Sequence, residues 1–107
     1  MPAAVSSDTF DAEVLQSQTP VLVDFWATWC PPCRALAPTI DRLAERYEGR
    51  VKVVKLDTDR SPDVSGQYGI QAIPTVMLFR GGVEAARWVG LQPITAYERE
   101  IERLLKG

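Results

Sequence analysis

The sequence predicts an α/β sandwich, a mixed sheet with helices on both faces, and three observations carry that prediction. A continuous apolar run at Val21–Trp26 is followed by an amphipathic helix and a second apolar run at Val51–Leu56. Two further strand-like segments flank the tight turn Arg80-Gly81-Gly82. Another amphipathic helix, opened near Pro93, finishes the chain. Apolar faces in this order bury themselves by stacking into layers.

A first helix is expected over Asp8–Gln16, opened by a Ser/Asp-rich capping region, with Phe10, Val14 and Leu15 as its apolar stripe. Val21–Trp26, bounded by Pro20, is apolar almost throughout, which fits a central strand covered on both faces. The long helix after Pro31-Pro32 places Leu36, Ile40, Leu43, Ala44 and Tyr47 on one face and ends at Gly49. Pro38 lies inside that helix, where it removes one backbone hydrogen bond and predicts a kink. Val51–Leu56 reads as a second buried strand, and strand, helix and strand together predict a right-handed crossover with parallel strands. Ser61–Tyr68 reads as a short helix. Thr75–Phe79 is a strand, and Glu84–Val89 returns antiparallel to it across the glycine turn. Ile94, Tyr97, Ile101, Leu104 and Leu105 mark the last amphipathic helix.

Composition narrows the function classes. A chain of 107 residues, 46% apolar and 24% charged, fits one globular domain over residues 1–107. The net charge of −2 has the wrong sign for a nucleic-acid surface, and its arginines are spread singly, so no polybasic membrane patch forms. The first residues show neither the basic nor the apolar stretch of a signal peptide. No apolar run approaches the roughly 20 residues of a membrane helix, so a cytoplasmic protein is expected.

The chemistry concentrates in Trp29-Cys30-Pro31-Pro32-Cys33, where the central strand hands over to the long helix. Two cysteines three apart in a first helical turn can share one side of it. Unpaired N–H groups at a helix start favour an anion, which for cysteine is the thiolate, the attacking species in disulfide exchange. Cys30, nearer the open end, is the candidate nucleophile; Cys33, expected to sit deeper, can resolve the mixed disulfide. Three plainer readings compete. A zinc site wants four ligands, and the chain has no third cysteine and no histidine. A structural disulfide closing so short a loop stabilises little. Two unrelated buried thiols are the third alternative. The strand–turn–helix context favours the redox pair.

Asp24 is a carboxylate in the middle of an apolar strand, where desolvation should raise its pKa. Lys55, on the neighbouring central strand, is its natural charge partner, or else an ordinary solvated lysine at a strand end.

Asp24-Phe25-Trp26-Ala27 before Trp29-Cys30, Pro38, Lys55-Leu56-Asp57, Tyr68-Gly69-Ile70, Ile73-Pro74-Thr75, Gly81-Gly82 and Val89-Gly90 together resemble the thioredoxin family over nearly the whole chain. The resemblance implies a three-layer α/β/α sandwich around a five-stranded mixed sheet of order 1-3-2-4-5. It implies that Asp24 lies beneath the cysteines and helps deprotonate Cys33 through water, with a purely structural aspartate as the alternative. It implies that Pro74 is cis beside the disulfide and that the backbone of Ile73 meets an extended substrate segment. Trp29, Ala72, Ile73 and Gly90 would form an apolar docking surface, whereas Ile70, Trp26, Phe10, Phe25 and Phe79 read as core. Trp88 reads as a flank, and Arg34 as a solvated helix residue. Pro31-Pro32 departs from the Gly-Pro usual in the family. Pro31 deletes an N–H, fixes φ and biases Cys30 towards extended backbone. The expected result is a stiffer turn with a shifted redox potential, which the equilibrium of Pro31→Gly with glutathione would read directly.

The activity implied is general protein-disulfide reduction by a monomer that needs no cofactor of its own. Its partners would be protein disulfides and, as electron donor, an NADPH-dependent flavoprotein thioredoxin reductase. A binding module without turnover and a reductant for cytochrome maturation are the rival readings.

Overall fold

A computed structural model describes residues 2–107. Its elements in chain order are β1 (Ala3–Val5), α1 (Asp11–Leu15), β2 (Val21–Trp26), α2 (Pro31–Arg46), β3 (Lys52–Asp57), α3 (Pro62–Gln67), β4 (Thr75–Arg80), β5 (Val83–Val89) and α4 (Ile94–Lys106). The strands form one sheet of order β1-β3-β2-β4-β5. β3 runs parallel to β1 and β2, whereas β4 is antiparallel to both β2 and β5. This is the expected order.

β2 is apolar on both faces because both are covered. Val23 and Phe25 join Val54, Leu56, Met77 and Phe79 against Val14 of α1, Phe10 just before it and Val64 of α3. On the other face Leu22 joins Val53, Val76 and Leu78 against Leu36, Ile40, Leu43, Tyr47, Tyr97 and Ile101 from α2 and α4. Burial of each such side chain contributes roughly 1.5–3 kcal/mol. Side chains alternate along a strand, so Asp24 lies on the α2/α4 face, between Leu22 and Trp26.

Several boundaries differ from expectation for physical reasons. β1 was not foreseen as a segment: three residues, two of them exposed alanines, carry no periodic signal. The first helix is shorter than Asp8–Gln16 and wound wide, with the Gln16 N–H bonded to Asp11 O at 2.9 Å. The serines before it do not cap it. Ser6 O instead accepts from the N–H groups of Thr9 and Phe10, and Ser7 bonds to Ser61 and Asp63. β3 starts one residue later than predicted because the Val51 N–H is already taken by Tyr47 O at 2.9 Å, in the turn that leaves α2 through Gly49 (φ +84°). Helix α2 continues through Pro38 as one element.

The β4–β5 hairpin turns on Gly81 and Gly82, both with positive φ. At Gly82 a Cβ would stand 2.9 Å from Leu15 O, so the hairpin packs onto α1 only with glycine there.

Candidate active site

Where β2 ends, Ala27 O accepts the Cys30 N–H, and Cys30 becomes the N-cap of α2 in an extended conformation (φ −96°, ψ 106°). Pro31 and Pro32 occupy the first helical turn, where a missing N–H costs nothing. The extended Cys30 is the geometry that a following proline imposes. Cys30 and Cys33 are joined by a disulfide, their Cα atoms 5.3 Å apart. Cys30 Sγ accepts a hydrogen bond from the Cys33 backbone N–H at 3.2 Å and lies 3.8 Å from Ile73 O.

The expected difference in depth is not seen. Cys30 is 2% exposed and Cys33 4%, because Ala27, Trp26 and Ile73 wall both sulfurs. What separates the two is position, with Cys30 at the mouth of the helix and Cys33 inside its first turn.

Ile73–Pro74 is cis, and Pro74 O accepts the Gly90 N–H at 2.8 Å, which brings the two loops together beside Cys30. Ala72 is exposed, and its carbonyl accepts from Thr75 Oγ1. Trp29 is 63% exposed, and its indole N–H donates to Asp59 at 2.8 Å. Val89 and Leu91, on either side of Gly90, are exposed as well. Of the four expected docking residues Ile73 packs directly on the cysteine pair; Ala72 precedes it, Gly90 is tied to Pro74, and Trp29 adjoins Cys30 in the chain. Ile70 instead packs into the core shared with Phe10 and Phe79, and Trp88 is half-buried against Tyr97. Exposed Arg34 donates to Thr28 O at 2.9 Å.

Asp24 is buried, and burial pushes its carboxyl up to about 7, with the Lys55 charge pulling weakly the other way. Lys55 sits directly across from Asp24 in the ladder. It is not a solvated strand-end lysine: it is half-buried in mid-strand, and its ammonium lies 4.4 Å from the centre of the Trp26 ring. That contact leaves Trp26 half-buried as a lid over Lys55 and a wall of the cysteine pair, not the plain core residue expected. Asp24 Oδ1 has no hydrogen-bond partner.

Sequence reasoning did not single out Asp59, which anchors Trp29, or Leu91; one loop acid and one loop leucine among several give no signal. It also passed over Tyr97, whose buried hydroxyl is unpartnered like Asp24 Oδ1. Among the described residues no group of three histidine, cysteine or carboxylate side chains could hold a metal ion. No described helix is long and apolar enough to cross a membrane.

The thioredoxin family model matches residues 1–103. Thioredoxin 1 of Nostoc sp. is 52% identical over 103 residues, 96% of either chain. Thioredoxin of Synechocystis sp. is 50% identical over 94% of either chain. A chloroplastic M-type thioredoxin of Chlamydomonas reinhardtii is 48% identical over 95% of this chain and 73% of its own. With its sheet order and its Cys30–Cys33 disulfide at the start of a helix, the chain belongs to the thioredoxin family and is a dithiol–disulfide oxidoreductase, a protein-disulfide reductase.

Proposed function

We propose that Cys30 is the attacking sulfur and Cys33 the resolving one, in a single domain spanning residues 1–107. The observation that carries this reading is the hydrogen bond from the Cys33 N–H to Cys30 Sγ at the N-cap of α2. In the reduced protein that donor and the helix start favour a thiolate at Cys30. The thiolate attacks one sulfur of a protein disulfide, forming a mixed disulfide and releasing the other sulfur as a thiolate. Cys33, on losing its proton, attacks Cys30 Sγ; the Cys30–Cys33 disulfide forms and the substrate's second sulfur leaves reduced. Two electrons pass from the protein to the substrate.

Asp24 accepts the Cys33 proton through water in this reading. Its support is a carboxyl titrating near neutral pH on the face that α2 covers, two residues before Trp26. Lys55 biases Asp24 towards the ionised form. Trp29, Ala72, Ile73 and Gly90 receive the substrate backbone and apolar side chains, with Pro74 shaping the Ile73 edge and Pro31-Pro32 stiffening the turn. A surface that lacks charge suits many protein substrates. Re-reduction falls to an NADPH-dependent flavoprotein thioredoxin reductase, and the chain works as a cytoplasmic monomer in electron transport. The chemistry supports a reducing compartment, because a dithiol donor stays reduced only where thiols are maintained.

Insulin-disulfide reduction tests the assignment. Cys30→Ser should lose all turnover, whereas Cys33→Ser should accumulate a covalent adduct at Cys30, read by mass. An adduct on Cys33 in the Cys30→Ser protein would reverse the roles. A wild type without turnover would favour a binding module.

A further inference from the structure

One buried titratable group is unused by this chemistry. Tyr97, on α4, is fully buried; the Gln92 backbone N–H bears on its hydroxyl oxygen, but its own O–H proton has no acceptor in the protein. A buried phenol normally finds a partner, because an unmade hydrogen bond is expensive in a low dielectric. Asp24 Oδ1 is the only other buried side-chain N or O atom among the described residues that lacks one.

The sheet sets the two on one face, with Val76 between them. Asp24 is in register with Val76 on β4, and Val76 with Trp88 on β5, so the three side chains form one row on the α2/α4 face. Tyr97 packs on the Val76–Trp88 end of that row: its ring centre is 4.9 Å from that of Trp88, and it shares a core cluster with Val76. The Asp24 charge reaches the phenol and, after burial itself, is what raises its pKa, to about 12; the Gln92 backbone N–H bears on the same oxygen. A phenol held that high is always protonated at the working pH, so it can only donate to a carboxylate. Two unsatisfied side-chain oxygens and a backbone N–H are also the set of partners that a buried water requires.

From this arrangement we propose that Tyr97 is a positioning residue for Asp24, its O–H reaching the ionised carboxylate through one shared water. The proposal rests on the reading of Asp24 as proton acceptor for Cys33. A donor to the ionised form lowers the carboxyl pKa, which opposes the upward push of burial. Tyr97 thus sets the pH at which Asp24 becomes a base. Lys55, across from it on β3, is the other charged group that bears on Asp24, while β4 offers only Val76 in register with it.

The test is a carbon-NMR titration of the Asp24 carboxyl in oxidised wild type and Tyr97→Phe, with the cysteines held as the disulfide. The ring and its packing on Trp88 are kept in this variant. The midpoint should rise by about 0.5–1 pH unit. An unchanged or lowered midpoint overturns the proposal. The second measurement is the pH dependence of single-turnover resolution of the Cys30 mixed disulfide. Its limb should move up by the same amount with the same high-pH plateau, which slows resolution about two- to five-fold at pH 7. A lowered plateau with an unmoved limb marks a merely structural tyrosine and also overturns it. If the NMR midpoint moves and the kinetic limb does not, the Tyr97–Asp24 coupling stands and the role of Asp24 as proton acceptor falls.

Discussion

An ionisable group raised by burial is a stability statement, and Asp24→Asn tests it without reference to catalysis. The carboxyl titrates at about 7 in the folded chain, against an ordinary 3.8. A rise of about three pH units, at roughly 1.36 kcal/mol each, means that ionised Asp24 destabilises the fold by about 4 kcal/mol. The sign follows from proton counts. Between pH 3.8 and 7 the folded state holds the proton that the unfolded state has lost, so stability falls as pH rises through that window and levels off above it. About 2.5–3 kcal/mol of the loss should fall between pH 5 and 8.5. The chain has no histidine, so little else titrates there. Urea unfolding of the oxidised protein, read as the midpoint at constant m-value, should therefore decline with pH in wild type. The asparagine variant should be nearly flat and, above pH 8, the more stable of the two. Parallel profiles for the two proteins would refute the claim that Asp24 is held neutral by burial.

Two further substitutions test other parts of the structure. Gly82→Ala forces a Cβ to within 2.9 Å of Leu15 O at φ +78° and should cost about 1–3 kcal/mol in urea unfolding. Gly81→Ala, with positive φ but open space around it, should cost less; equal losses would show that strain and not the α1 contact matters. Trp29→Ala removes the largest exposed apolar side chain at the disulfide and should lower kcat/KM for insulin about tenfold. Its rate with a small aromatic disulfide should stay within about twofold, and an equal loss on both substrates would remove the docking role.

What could be read from the sequence follows the reach of each signal. Strand β2 and helix α2 were legible because apolar runs and a 3.6-residue stripe are local patterns backed by burial on both sheet faces. The cysteine pair was legible because two sulfurs three residues apart at a strand–helix junction have few other uses. Strand β1 was not, since three residues with one buried valine depend wholly on β3 for their conformation. Nor was the first helix's start, because a serine serves equally well as a cap or, as Ser7 does, as the partner of Ser61, 54 residues away. Asp24 and Tyr97 show the same division within one site. A carboxylate among valines announces its burial by its neighbours in the chain. A tyrosine on the apolar stripe of α4 fits the periodicity so well that nothing marks its hydroxyl as unusual. Only the packing of α4 on the sheet sets that ring against Trp88, in the row that contains Asp24. The chain thus states locally that a proton is held in the core, while the group proposed to tune its release is set by tertiary contact.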